Sequence, residues 1–187
     1  KGDNVKIHDN KISNTAVAIQ HLYKSTTTTG LEIYNNTVSS SCWAISPLGG
    51  AGDNQGYSGI NVYSNTIEMG RNWNSAVGTE GCHGNGIWLY SSATTPAPYV
   101  DLNIYNNYIY APSEAPSDSV KSAGTSAIHI ESVGATSSIE IYNNLSVTNA
   151  WHIYSNGHIS CFNKCGDKTL KVVNNTMIDG GDSPGIY

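Results

Sequence analysis

Two histidines, a glutamate and a set of aromatic rings are the residues of this chain best suited to chemistry. His129 and Glu131 stand two residues apart in AIHIES, and His152 and Tyr154 repeat that spacing in WHIYSN. In an extended strand this interval returns side chains to one face, so each pair would hold an imidazole beside a second polar group. Imidazole and carboxylate exchange protons near neutral pH, as general acid–base catalysis requires. Trp88 and Tyr90 in GIWLYS share the interval and would offer ring faces for sugars to stack on. The segment RNWNSAVGTEGCHGNG adds Arg71, Trp73, Glu80 and His83, and a guanidinium there can bind or neutralise a carboxylate. A blander reading competes: Trp, Tyr and Thr suit any half-exposed sheet, and the segment would then be a surface loop held by Cys82.

Positioning these side chains requires a repeating framework, and the sequence contains one. Six segments align on a shared Asn: VKIHDNKI, LEIYNNTV, INVYSNTI, LNIYNNYI, IEIYNNLS and LKVVNNTM, giving Asn10, Asn36, Asn65, Asn107, Asn144 and Asn175. The intervals between these asparagines are unequal while the motif is constant, as expected of variable loops between constant strands. Apolar and polar residues alternate within each segment, for example Ile139 and Ile141 against Glu140 and Tyr142, which is the signature of a strand with one buried face. A second short apolar pattern follows each Asn. An inward Asn at the bend between the two strands can bond nearby backbone groups and the amide of the next coil, making a ladder.

Between these segments lies a third strand class: AVAIQH, WAISP, GIWLYS, AIHIES, WHIYSN and GIY. Alternation then predicts two inward columns: Val17, Trp43, Ile87, Ile128 and Trp151, and beside them Ile19, Ile45, Leu89, Ile130 and Ile153. Outward columns would run Ala18, Ala44, Trp88, His129, His152 and Tyr187, and Gln20, Ser46, Tyr90, Glu131 and Tyr154. With coils about 4.8 Å apart, His129 and His152 would be neighbours, with Glu131 beside both.

Composition agrees with an all-β chain. Of 187 residues only 12% are charged and Phe occurs once, so there is little helical vocabulary. A net charge of -5 with no basic stripe argues against nucleic acid as a partner. No apolar run is long enough for membrane insertion by a helix, and the N-terminus does not read as a signal peptide.

The three strand classes and the repeated Asn resemble the pectate-lyase-like superfamily of right-handed parallel β-helices, and the resemblance covers essentially the whole chain. It implies a single-stranded solenoid of about six coils, one domain over residues 1–187, with an internal Asn ladder. It also implies a secreted or extracellular-surface protein whose first-strand face, carrying GIWLYS and AIHIES, binds polysaccharide or a cell-surface glycan. Departures narrow the chemistry. Polygalacturonase-type hydrolases use several Asp on that face, and no outward first-strand position here is Asp. Calcium-dependent lyases need clustered carboxylates, and Glu131 stands nearly alone. Metal-independent elimination remains, with His129, His152 or Tyr154 as base, Arg71 on the uronate, and Trp73, His83, Trp88 and Tyr90 as substrate contacts; neither a metal nor a cofactor is expected. The same scaffold also serves adhesins and tailspikes, so the alternative is a structural or adhesive rod that forms a homo-oligomer or filament.

Of the four cysteines, Cys161 and Cys165 in CFNKC are close enough to close a small loop, and Cys42 and Cys82 each precede a strand of one class. Disulfides 161–165 and 42–82 are therefore expected, with four free thiols as the alternative. Sequons occur at Asn35, Asn144 and Asn174; the inward position of Asn144 should exclude modification, while Asn35 and Asn174 could face outward. A solenoid needs capped ends, yet Lys1 lies just before a second strand and Tyr187 within a first strand, which predicts a fragment of a longer chain with both caps missing.

Overall fold

The computed structural model describes residues 3–21, 28–41, 43–48, 57–69, 85–90, 99–111, 126–131, 134, 136–149, 158–162 and 169–180. These form strands and turns arranged as three parallel sheets, which together make a parallel β-helix. The second-strand sheet stacks β1 (Lys6–His8), β5 (Glu32–Tyr34), β8 (Tyr57–Tyr63), β11 (Tyr99–Tyr105), β14 (Ser138–Tyr142) and β17 (Thr169–Val173), with β4 (Thr28–Thr29) also paired to β8. The third-strand sheet stacks β2 (Lys11–Ser13), β6 (Thr37–Ser41), β9 (Thr66–Met69), β12 (Tyr108–Tyr110), β15 (Leu145–Asn149) and β18 (Thr176–Gly180). The first-strand sheet stacks β3 (Val17–Gln20), β7 (Trp43–Leu48), β10 (Asn85–Tyr90), β13 (Ile128–Glu131) and β16 (Ile159–Phe162).

Alternation drives the burial. Ile33, Val62, Ile104 and Ile141 are fully enclosed, while their outward neighbours are half-buried or exposed. Between second and third strands the chain bends over two residues. The first adopts the left-handed region, with φ between 53° and 56° at Asp9, Asn35, Ser64, Asn106, Asn143 and Asn174. Asn and Asp tolerate that conformation better than other residues with a Cβ. The second is the shared Asn. Its Nδ2 donates to the Oδ1 of the next coil's Asn, at 2.9 or 3.0 Å through the series Asn10, Asn36, Asn65, Asn107, Asn144 and Asn175. Each Oδ1 in the series from Asn36 onward also accepts the backbone N–H of the Asn one coil earlier. The predicted ladder is therefore present, including the burial of Asn144, while Asn35 and Asn174 are exposed as expected.

Two predicted registers need correction. Asn85, not Ile87, lies level with Trp43, and Ile87 lies level with Ile45. An irregularity between Ile45 and Leu48 then restores pairing at Leu89. A two-residue shift keeps the parity of a strand, so alternation alone does not detect it; at β7 the expected facing also fails, since Ala44 and Ser46, expected outward, are fully buried and Trp43, expected inward, is half-buried against Trp88. The strand beside β13 is β16, with Ile128 level with Ile159 and Ile130 with Cys161. The neighbour of His129 is thus Ser160, not His152, and the column that placed His152 and Tyr154 beside Glu131 is overturned.

Core volume explains part of this. One residue before the paired Ile87, Ile128 and Ile159 stand Gly86, Ala127 and His158. Facing them across the coil interior, the third strands supply Ile109, Ser146 and Met177, also in register. A Cβ on Gly86 would come within 2.8 Å of Ile109 Cγ2, whereas the small Ser146 leaves space for the imidazole of His158, whose Nδ1 lies 2.7 Å from Ser146 Oγ. Both His158 and Ser146 are buried, so the hydrogen bond offsets their loss of hydration.

Candidate functional site

On the first-strand face, Trp88 lies level with His129 and Tyr90 with Glu131. Alternation along β10 buries Ile87 and Leu89 completely and leaves Trp88 and Tyr90 half-buried. Their rings stack at 4.8 Å with 14° between planes, and the Trp43 ring lies 4.5 Å from Trp88 at a 42° tilt. The result is an aromatic platform one coil away from the titratable pair. Trp43 Nε1, Trp88 Nε1 and Ser46 Oγ are buried without a hydrogen-bond partner among the described residues. Each such group carries a desolvation cost of roughly 1–3 kcal/mol.

His129 is enclosed, with 5% of its surface exposed, where a solvent-facing ring was expected. Its Nδ1 lies 2.5 Å from Ser160 Oγ, its Nε2 lies 3.4 Å from Glu131 Oε2, and Ser160 Oγ is 2.8 Å from Ser126 Oγ. A single direction of donation satisfies the row: Ser126 O–H to Ser160, Ser160 O–H to His129 Nδ1, and His129 Nε2–H to an ionised Glu131. Ser126 and Ser160 are 1% exposed, whereas the Glu131 side chain is 24% exposed. Glu131 is therefore the member of the row that reaches the surface, and His129 orients it from behind. Sequence reasoning missed both serines, because recognising Ser160 depended on knowing that ISCF rather than WHIY follows AIHIES in the sheet. It also passed over His21, whose backbone N–H donates to Ser46 O and whose burial holds its pKa below the ordinary imidazole range.

Arg71, Trp73, His83, His152 and Tyr154 lie outside the described residues. So do Cys42, Cys82 and Cys165, and with them both expected pairings; Cys161, half-buried on β16, is disulfide-bonded and not a free thiol.

A second ordered array runs along the outside of the second-strand sheet. His8, Tyr34, Tyr63, Tyr105 and Tyr142 stack ring on ring with centroids 4.7 to 5.0 Å apart and planes within 9°. Register continues this column to Val173. The signal was present in the sequence as the residue two before each ladder Asn.

The class of protein defined by these features is a parallel β-helix with an internal Asn ladder and an aromatic, titratable first-strand face. Comparison with known proteins adds nothing more specific: no protein family, curated protein or solved structure matches the chain.

Proposed function

We propose that this β-helix binds an extracellular polysaccharide along its first-strand face, with Trp88 and Tyr90 as the stacking platform and Glu131 as the polar contact. The observation that carries the reading is the stacked Trp88–Tyr90 pair in register with His129 and Glu131. Aromatic faces bind the C–H faces of sugar rings, and a carboxylate held by an imidazole accepts hydroxyl protons. Resemblance to the pectate-lyase-like superfamily, whose members bind polysaccharide on this face, supports the same reading and a secreted setting. Where the bound glycan is a polyuronate, Glu131, oriented by His129, is also a described group that could exchange a proton with it.

The test is calorimetric titration of neutral and acidic polysaccharides into the wild-type chain and the Trp88→Ala, Tyr90→Ala and Glu131→Gln variants. A glycan that binds wild type and loses at least about tenfold in affinity with each aromatic variant, equivalent to about 1.4 kcal/mol, supports the proposal. Unchanged affinity in folded Trp88→Ala and Tyr90→Ala, or no binding across the panel, overturns it in favour of the structural rod. Appearance of an ultraviolet-absorbing unsaturated product, lost in Glu131→Gln, would extend binding to elimination.

A further inference from the structure

Among the described residues, the external ring stack ends at Tyr142, one strand before the last strand of the sheet. Tyr142 is level with Val173, so the fifth interval of the column holds an aliphatic side chain where the four before it hold a ring. Val173 is 37% exposed, and at this step there is a cavity of about 220 Å³ lined by Glu140, Tyr142, Asn143, Lys171, Val173 and Asn174. That volume is below the usual range for drug-sized ligands and suits a single ring.

We infer that this cavity is a binding site for one uncharged pyranose residue, which stacks on Tyr142 and takes the place of the missing sixth ring. Four preceding intervals of 4.7 to 5.0 Å define the spacing that a sugar ring would continue. The rim selects the chemistry. Glu140 supplies acceptors, Lys171 and the two Asn amides supply donors, and the Lys171 Nζ–Glu140 Oε1 pair at 3.4 Å balances its own charge. A sugar ring combines an apolar C–H face for Tyr142 and Val173 with hydroxyls around its edge for these four polar groups. A purely aromatic ring would stack equally well but leave the donors and acceptors unused, and a uronate would have to compete with Glu140 for the Lys171 ammonium that already pairs with it. Asn143 and Asn174 are held with φ of 55° and 53° at the bend, so the backbone carrying these amides is fixed by the coil rather than by a long loop.

This site lies on a different sheet from the first-strand platform and stands or falls separately from it. Its test is a nuclear magnetic resonance titration of methyl pyranosides of glucose, galactose and mannose, observed at the backbone amide signals of Asn143 and Lys171, which line the cavity and are retained in every variant. The protein is made in a host without N-glycosylation, since Asn174 begins a sequon. A saturable shift is expected with at least one pyranoside. It should fall at least tenfold in Tyr142→Ala, and equally in Val173→Tyr, in which the protein completes its own stack while remaining folded. Trp88→Ala should leave it unchanged. Saturation that survives folded Val173→Tyr, or no shift with any of the three sugars, overturns the site.

Discussion

Asn107 uses its carboxamide fully. Its Nδ2 donates toward Asn144 Oδ1, Tyr105 O and Val62 O, and its Oδ1 receives both the backbone N–H and the Nδ2 of Asn65. Water does not replace these bonds, because the residue is 1% exposed. Removing one side chain therefore strips partners from two neighbouring coils, and each buried group left unpaired costs roughly 1–3 kcal/mol. Asn107→Ala should lower unfolding free energy by about 3 kcal/mol or more, measured by urea titration. Asn10→Ala, at an exposed residue that accepts nothing from a preceding Asn of the series, should cost less than about 1.5 kcal/mol, the usual net worth of one hydrogen bond. Equal losses at the two positions would mean that the amides act locally and not as a ladder. At this scale the sequence was transparent: only an Asn at a bend with inward geometry explains one unvarying polar residue among variable loops. The external Tyr column was equally visible but was passed over, because alternation identifies an outward residue without revealing that successive coils bring its ring into contact with the next.

Elements were harder to read than residues, for a physical reason. Period-two alternation gives the parity of a strand, yet every shift by two residues has the same parity. This is how Trp43 came to be placed against Ile87 and WHIYSN against AIHIES. The true registers follow from volume across the coil, which links residues far apart in sequence. Gly86 is the clearest case: an added Cβ would lie 2.6 Å from Ala127 O and 2.8 Å from Ile109 Cγ2. The carbonyl cannot retreat, because it accepts the N–H of Ile87 at 2.8 Å in the sheet ladder. Gly86→Ala should destabilise by about 1–3 kcal/mol, read from the shift in denaturation midpoint. Trimming Ile109 to Ala should not rescue it, since the backbone clash persists; full recovery in the double variant would place the constraint in the side chain instead. The consequences reach the candidate site, because Gly86 and Ala127 lie two residues before Trp88 and His129 on their strands.

Across the whole molecule, stacked coils convert a linear repeat into three flat faces, and tyrosine occupies both their inner and outer surfaces. Twelve tyrosines occur in the chain, yet they do not share one environment. Tyr99 is fully enclosed beside Tyr57, with ring centroids 5.5 Å apart, and desolvation followed by the charge of Tyr57 holds its phenol well above the ordinary value. Tyr57 is raised by burial as well, and Tyr63, Tyr105 and Tyr110 are raised, first by desolvation, from half-buried positions on the outer surface, where solvent screening weakens the energetic effect. The sign follows from linkage. Below about pH 10 both folded and unfolded chains keep the Tyr99 proton, so its contribution to stability is fully present. As pH rises further, the unfolded chain releases that proton while the folded chain retains it, and stability falls by up to about 1.4 kcal/mol per pH unit for this one group. The net charge of -5 becomes more negative over the same range and adds repulsion, but that term is shared with a Tyr99→Phe variant. The variant should therefore begin slightly less stable at neutral pH, having lost the 3.4 Å contact from Tyr99 Oη to Tyr90 O, and then decline more shallowly above pH 10. Urea midpoints collected at intervals from pH 8 to pH 11.5 would measure the two slopes, and parallel curves would show that Tyr99 ionises as readily in the folded solenoid as in the open chain.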